Sequence, residues 1–221
     1  MFKNLFILFA MVLFAGSSIA QTNEDLYFVF LNTNSDKEIP GTENAKALQT
    51  GHLENNDLLA KEGKLFANGS LKDGGEIMIL HAESLEQAKD FLQSDPAVQA
   101  NSFTTEVFSM QLAHGNMCSA KPHSEMATYQ LIRFKNVAYD IDRYSQVAHD
   151  NRVFMSDLQS KKKNIVAQAY FNEGQSDGVL ILNAESADAA KKIFKKYKAV
   201  KSGDITYEVK TLRIAKGTFC E

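Results

Sequence analysis

His52 interrupts an apolar helical stripe. Ala45, Leu48, His52, Asn55 and Leu59 recur at spacings of three and four between Glu43 and Glu62, and a leucine would pack better at position 52. An imidazole titrates near neutrality and suits general acid–base work, with a pKa tuned by burial and by neighbouring charge. The plainer reading is a partly buried histidine held by one hydrogen bond. Asp95 stands before Pro96, the pattern of a helix N-cap followed by proline at the first helical position. A carboxylate has two oxygens, so one can cap while the other meets a second group. His114, Cys118 and His123 lie close together, but the matching later stretch offers Lys216 and Cys220 and no histidine. A metal site needs three or four convergent ligands, so no metal is expected. The sequence has no phosphate-binding loop, nucleophile elbow or His-Glu-x-x-His pattern, and no cofactor is expected.

The elements that must position these residues come as a repeat with an offset of 102. Ile79–Ser84 returns as Ile181–Ser186, Ala88-Lys89 as Ala190-Lys191, Glu106-Val107 as Glu208-Val209, and Cys118 as Cys220. In the first copy, strands are expected over 26–31, 65–69, 77–80 and 105–112, with helices over 43–62 and from Ser84 to about Ser94. Ser84 and Gln87 have capping-box spacing. The second copy gives strands over 127–134, 165–171, 179–182 and 205–214, with helices over 140–161 and 186–197. Each copy therefore reads β-α-β-β-α-β, a ferredoxin-like unit with both helices on one sheet face. The open face needs a cover, and the other copy's sheet is the natural one. The expected fold is α+β, two such repeats forming a pseudo-dimeric α+β barrel about an internal two-fold. The expected boundaries are 21–115 and 125–221, with a linker over 116–124.

Lys3, the apolar run 5–15 and the Ser18-x-Ala20 ending form a secretory leader pattern over residues 1–20. Cleavage is expected after Ala20, giving an exported, periplasmic or secreted chain without a stable membrane anchor, and a monomer. In such a compartment Cys118 and Cys220, the only cysteines, can form a disulfide. Two separate thiols at similar strand ends are the alternative. Without the leader the chain has 23 basic and 27 acidic residues, a mild acidic excess that argues against nucleic-acid binding. Asn68-Gly69-Ser70 fits a glycosylation sequon, discounted for its place at an expected strand end.

Three stretches resemble the YCII-related family of small dimeric α+β barrel proteins, over roughly residues 26–112. They are His52 followed eleven positions later by Gly63, the helix Ser84–Leu92, and Ser94-Asp95-Pro96 after that helix. The resemblance implies an active-site pair formed by His52 and Asp95. It also departs from the family. Thr50-Gly51 stand where a basic residue often precedes the histidine, and the second copy has Tyr197 in place of Asp95. Arg152 or a neighbour falls at the histidine position there, with His149 a turn earlier, so the second copy reads as degenerate. The resemblance then implies cofactor-free acid–base chemistry on a small molecule, with His52 transferring a proton and Asp95 orienting it. The alternative is a non-catalytic module that binds a small ligand or serves a structural role. A short His52–Asp95 contact beside a polar, open cavity would favour the first.

Overall fold

A computed structural model describes residues 25–34, 41–118, 124–138, 140–161, 164–171, 177–195 and 197–220. The leader pattern, Pro122 and His123 lie outside the described residues. The element order is β1 (Asp25–Thr33), α1 (Glu43–Lys61), β2 (Leu65–Leu71), β3 (Glu76–Ala82), α2 (Leu85–Gln93), α3 (Pro96–Gln99), β4 (Phe103–His114) and β5 (Asn116–Met117). It continues with β6 (Met126–Asn136), α4 (Ile141–Lys161), β7 (Ile165–Phe171), β8 (Asp177–Leu182), α5 (Ala187–Phe194), α6 (Lys198–Ser202), β9 (Ile205–Ala215) and β10 (Phe219–Cys220).

Eight strands close into one antiparallel barrel in the order β1-β3-β2-β9-β6-β8-β7-β4. The first four strands of the chain occupy contiguous ring positions. Two seams join them to the rest, with Gly69 opposite Ile214 at β2–β9 and Met110 opposite Phe171 at β4–β7. The central strands have cores on both faces. Phe28, Phe30, Ile79 and Ile181 point into the barrel. Val29, Leu31 and Leu80 point outward, beneath Leu59, Ala88 and Leu92 of α1 and α2. Ile132, Leu180 and Leu182 do the same beneath Val147, Met155 and Phe194 of α4 and α5. Burial on two sides explains why β1 and β3 read as unbroken apolar runs rather than alternations. Inside the barrel, Arg133 of β6 bonds both carboxylate oxygens of Glu106 on β4, at 2.8 and 2.7 Å, and its guanidinium lies 4.3 Å from the centroid of the Phe30 ring. The hydrogen bonds from Arg133 hold the Glu106 carboxyl below its ordinary pKa, against the opposing effect of burial.

The structure departs from the sequence reading at three places. Met117 and Asn116 pair with Phe219 and Cys220, so part of the stretch expected as linker is a strand. The helix expected over 186–197 stops at Phe194, and a separate α6 starts at Lys198. Tyr197 occupies its N-cap without a side-chain capping bond, so burial of Phe194, Tyr197 and Ala199, rather than a local signal, sets that break. Gln87 bonds the backbone N–H of Glu83 at 2.7 Å, one residue before the Ser84 cap, which itself accepts from Gln87 N–H at 3.1 Å.

Cys118 and Cys220 form a disulfide across 102 residues, beside the β5–β10 pair. A cross-link over a loop of that length restricts the unfolded chain most, by up to about 4–5 kcal/mol in the chain-entropy account. Replacing both cysteines by alanine is expected to lower unfolding free energy toward that amount without altering the barrel. Urea denaturation of the oxidised and double-alanine proteins checks this, and equal midpoints would contradict it.

Candidate functional site

α1 begins at Thr42, whose hydroxyl accepts the Ala45 N–H at 3.1 Å. Its inward face carries His52, Asn55, Asn56 and Leu59, all buried. Three of these four are polar, so this helix face must find partners rather than only contacts. The corner between α2 and α3 supplies them. Ser94 donates to Asn55 Oδ1 at 2.8 Å. Asp95 caps α3, accepting the Ala97 N–H on Oδ1 at 2.8 Å. Its Oδ2 accepts from His52 Nδ1 at 2.6 Å. Cap and partner are thus the same carboxylate, with one oxygen for each role. Gly51 lets the helix come this close, because a Cβ there would stand 3.0 Å from the Pro96 ring. That contact gives a physical reason for the absence of a basic side chain just before His52.

The sequence reading missed the third member. Glu76 opens β3 after the Gly74-Gly75 turn, and its Oε2 accepts from His52 Nε2 at 2.9 Å. Asn68 donates to Glu76 Oε1 at 2.7 Å, and the Asn56 amide nitrogen lies 3.5 Å from the same oxygen and 3.0 Å from His52 Nε2. A signal was available. Glu76, Met78 and Leu80 alternate onto the helix-covered face of β3, and a carboxylate there needs a partner. Asn68 is likewise engaged, so the amide of the sequon has a structural partner.

The ring of His52 is therefore held at both nitrogens between two carboxylates, with the Phe103 ring 5.5 Å away. Burial lowers its pKa, but the hydrogen bonds and charges of Asp95 and Glu76 outweigh that and raise it to about 9. At neutral pH the ring is an imidazolium. Side-chain exposure rises along the line, from 2% at Asp95 to 7% at His52 and 13% at Glu76. The open end meets a cavity of about 410 Å³ under the N-terminal half of α1. Leu48, Leu53, Ala97 and Phe103 are its apolar walls, and His52, Glu76, Ser70 and Ser102 line it with polar groups. The two carboxylates lie on opposite sides of the ring, and among the described residues no three or more His, Cys, Asp or Glu side chains converge as a metal site.

At the 102-residue offset Glu76 falls on Gly178 and Asp95 on Tyr197. The Tyr197 ring stacks on Phe154, centroids 4.0 Å apart and nearly parallel. On α4 the buried polar residue is Asn151, while Arg152 and His149 are exposed. His149 lines a surface cleft and has no counterpart to the Asp95 contact among the described residues. Cys118 is held in the disulfide, which removes it as a metal ligand beside His114.

Residues 26–111 match the YCII-related domain family. None of the curated proteins compared matches the chain. Among solved structures the chain is similar to a candidate monooxygenase from Lactobacillus acidophilus, at 14% identity and TM-score 0.43, covering 89% of this chain and 97% of that one. A candidate monooxygenase from Fusobacterium nucleatum is 10% identical with TM-score 0.49, covering 90% and 98%. A candidate chlorite dismutase is 10% identical with TM-score 0.46, covering 89% and 95%.

The raised His52 pKa has a stability consequence. The folded value, about 9, lies above the ordinary 6.5. The imidazolium's contribution is full below about pH 6.5 and is lost as pH climbs through about 9. Asp95→Asn retains a capping oxygen but removes the charge, and is expected to cost roughly 1–3 kcal/mol near neutrality. It should also flatten the fall in stability between those pH values. Urea midpoints of both proteins across the range check this. A wild-type fall no steeper than that of Asp95→Asn would contradict it.

Proposed function

We propose that this chain, whose residues 26–111 form a YCII-related domain, transfers protons on a small molecule held in the cavity beside His52. The observation that carries the reading is the buried line Asp95–His52–Glu76, which ends at that cavity. Glu76 is its most exposed member and accepts a proton from an activated position on the ligand. The bonding electron pair stays on the ligand, and the proton returns at another position, giving an isomerisation, or an elimination if a leaving group departs. No oxidant enters this balance. His52, as imidazolium, neutralises and orients Glu76. Asp95, buried behind it, fixes the ring. A carboxylate base acts on protons already acidified by the ligand itself.

The same proposal includes the two-repeat organisation, with residues 21–115 and 125–221 as ferredoxin-like units forming a pseudo-dimer in one monomeric chain. It is supported by the repeated element order, by the contiguous ring positions of each half's strands and by the disulfide between repeat-equivalent cysteines. It includes export as well, supported by the leader pattern and by the disulfide, which persists in oxidising compartments. No helix of the described residues is long and apolar enough to cross a membrane.

A second reading, a non-catalytic small-ligand module, is favoured by one observation. Both ring nitrogens of His52 already have partners, so the ring need not exchange a proton.

Solvent deuterium uptake separates the two. A set of small β-dicarbonyl compounds is incubated with the mature chain in deuterium oxide, and mass gain is followed. Catalysed exchange is expected, lowered at least about a hundredfold in Glu76→Gln and His52→Ala, the range for losing a general base, and unchanged in His149→Ala. Binding without exchange would favour the second reading. Equal exchange in wild type and Glu76→Gln would overturn the first.

A further inference from the structure

We infer, resting on the site reading above, that the cavity takes a neutral or cationic molecule with an apolar body and a hydrogen-bond donor that meets Glu76, and that it rejects carboxylates and phosphates. Charge at the cavity floor is the first argument. Two carboxylates face one imidazolium, and the carboxylate nearest the opening is the outermost charge. None of the described lining residues is Lys or Arg. Among the described lining residues the charged groups are the His52 imidazolium and Glu76. With Asp95 behind the ring the two carboxylates leave the floor net negative, so an anionic ligand would meet repulsion in a partly desolvated site where charge is poorly screened.

Hydrogen-bonding capacity is the second argument. A carboxylate offers about four acceptor positions and no donor. On Glu76, His52 Nε2, Asn68 Nδ2 and the longer Asn56 Nδ2 contact occupy three. What remains is an acceptor, and only a donating ligand group can satisfy it. Ser102 adds a buried hydroxyl oxygen on the cavity wall that has no partner among the described residues.

The walls supply the third argument. Leu48, Ala97 and Phe103 give an apolar lining, and Leu53, at the rim, leaves 55% of its surface exposed. An apolar ligand body would cover that surface, and the Phe103 ring face suits an aromatic or cationic neighbour. The volume fits a small molecule rather than a polymer.

The test uses three probes of one shape, benzylamine, benzyl alcohol and benzoate, with the mature chain at neutral pH and ligand-observed NMR as readout. The expected order places benzylammonium and benzyl alcohol ahead of benzoate by at least about tenfold in affinity. Leu53→Lys, at an exposed position that leaves the core intact, should strengthen benzoate and weaken benzylammonium. Glu76→Gln should narrow the gap between them. Benzoate binding as tightly as benzylammonium in wild type would overturn the assignment of ligand class and leave the proton-transfer site standing. Binding of none of the three, together with unshifted His52 resonances at the highest probe concentration, would overturn the small-molecule site itself and this inference with it.

Discussion

A positively charged ring buried between two carboxylates can be kept only if both partners are fixed. Removing one leaves a desolvated charge whose cost exceeds what the pair gained. Holding both partners of His52 ties α1 to the α2–α3 corner through Asp95 and to the start of β3 through Glu76. Other features serve the same arrangement. Pro96 and the Asp95 cap fix the corner, Gly51 lets α1 reach it, and Asn68 with the longer Asn56 contact holds Glu76 at Oε1. The cavity opens at the more exposed end of this polar line, beside Glu76 and His52.

The second half of the chain presents the contrast. It has the same element order and the same outward-facing helices. At the position of the polar line it has a stacked Phe154–Tyr197 pair and a glycine in place of the carboxylate. Aromatic packing there stabilises the helix–sheet contact without needing a counter-ion. Asn151 remains wholly buried with its amide atoms unpartnered among the described residues, a polar remnant on an otherwise apolar face. One barrel thus contains a half with a buried carboxylate–imidazole line and a half with an aromatic pair in its place, joined through both seams and the Arg133–Glu106 bridge.

Much of the framework was legible in sequence because burial on both sheet faces writes itself as unbroken apolar runs, as in Phe28–Leu31 and Ile77–Leu80. The cysteines were legible as a pair through the repeat. His52 stood out by breaking a stripe, and Asp95 by preceding a proline, but their pairing came from the family resemblance rather than from spacing. Glu76 fell just outside the strand expected over 77–80 and received no reading, since its meaning depends on which face of β3 the α1 helix covers. The charge state of His52 was not legible either. Burial and two carboxylates act on it with opposite signs, and only their geometry decides the balance. The short β5 and β10 strands escaped because two residues carry no periodicity. The start of α6 escaped because Tyr197 is held by packing.

The site depends on His52 being an imidazolium with both N–H groups donating. Nitrogen-15 NMR of the ring across a pH titration tests this directly. Both ring nitrogens should keep protonated-type shifts through neutrality and change together only as pH approaches about 9. A ring that titrates at or below its ordinary value near 6.5, or that shows one unprotonated nitrogen at neutral pH, would contradict it.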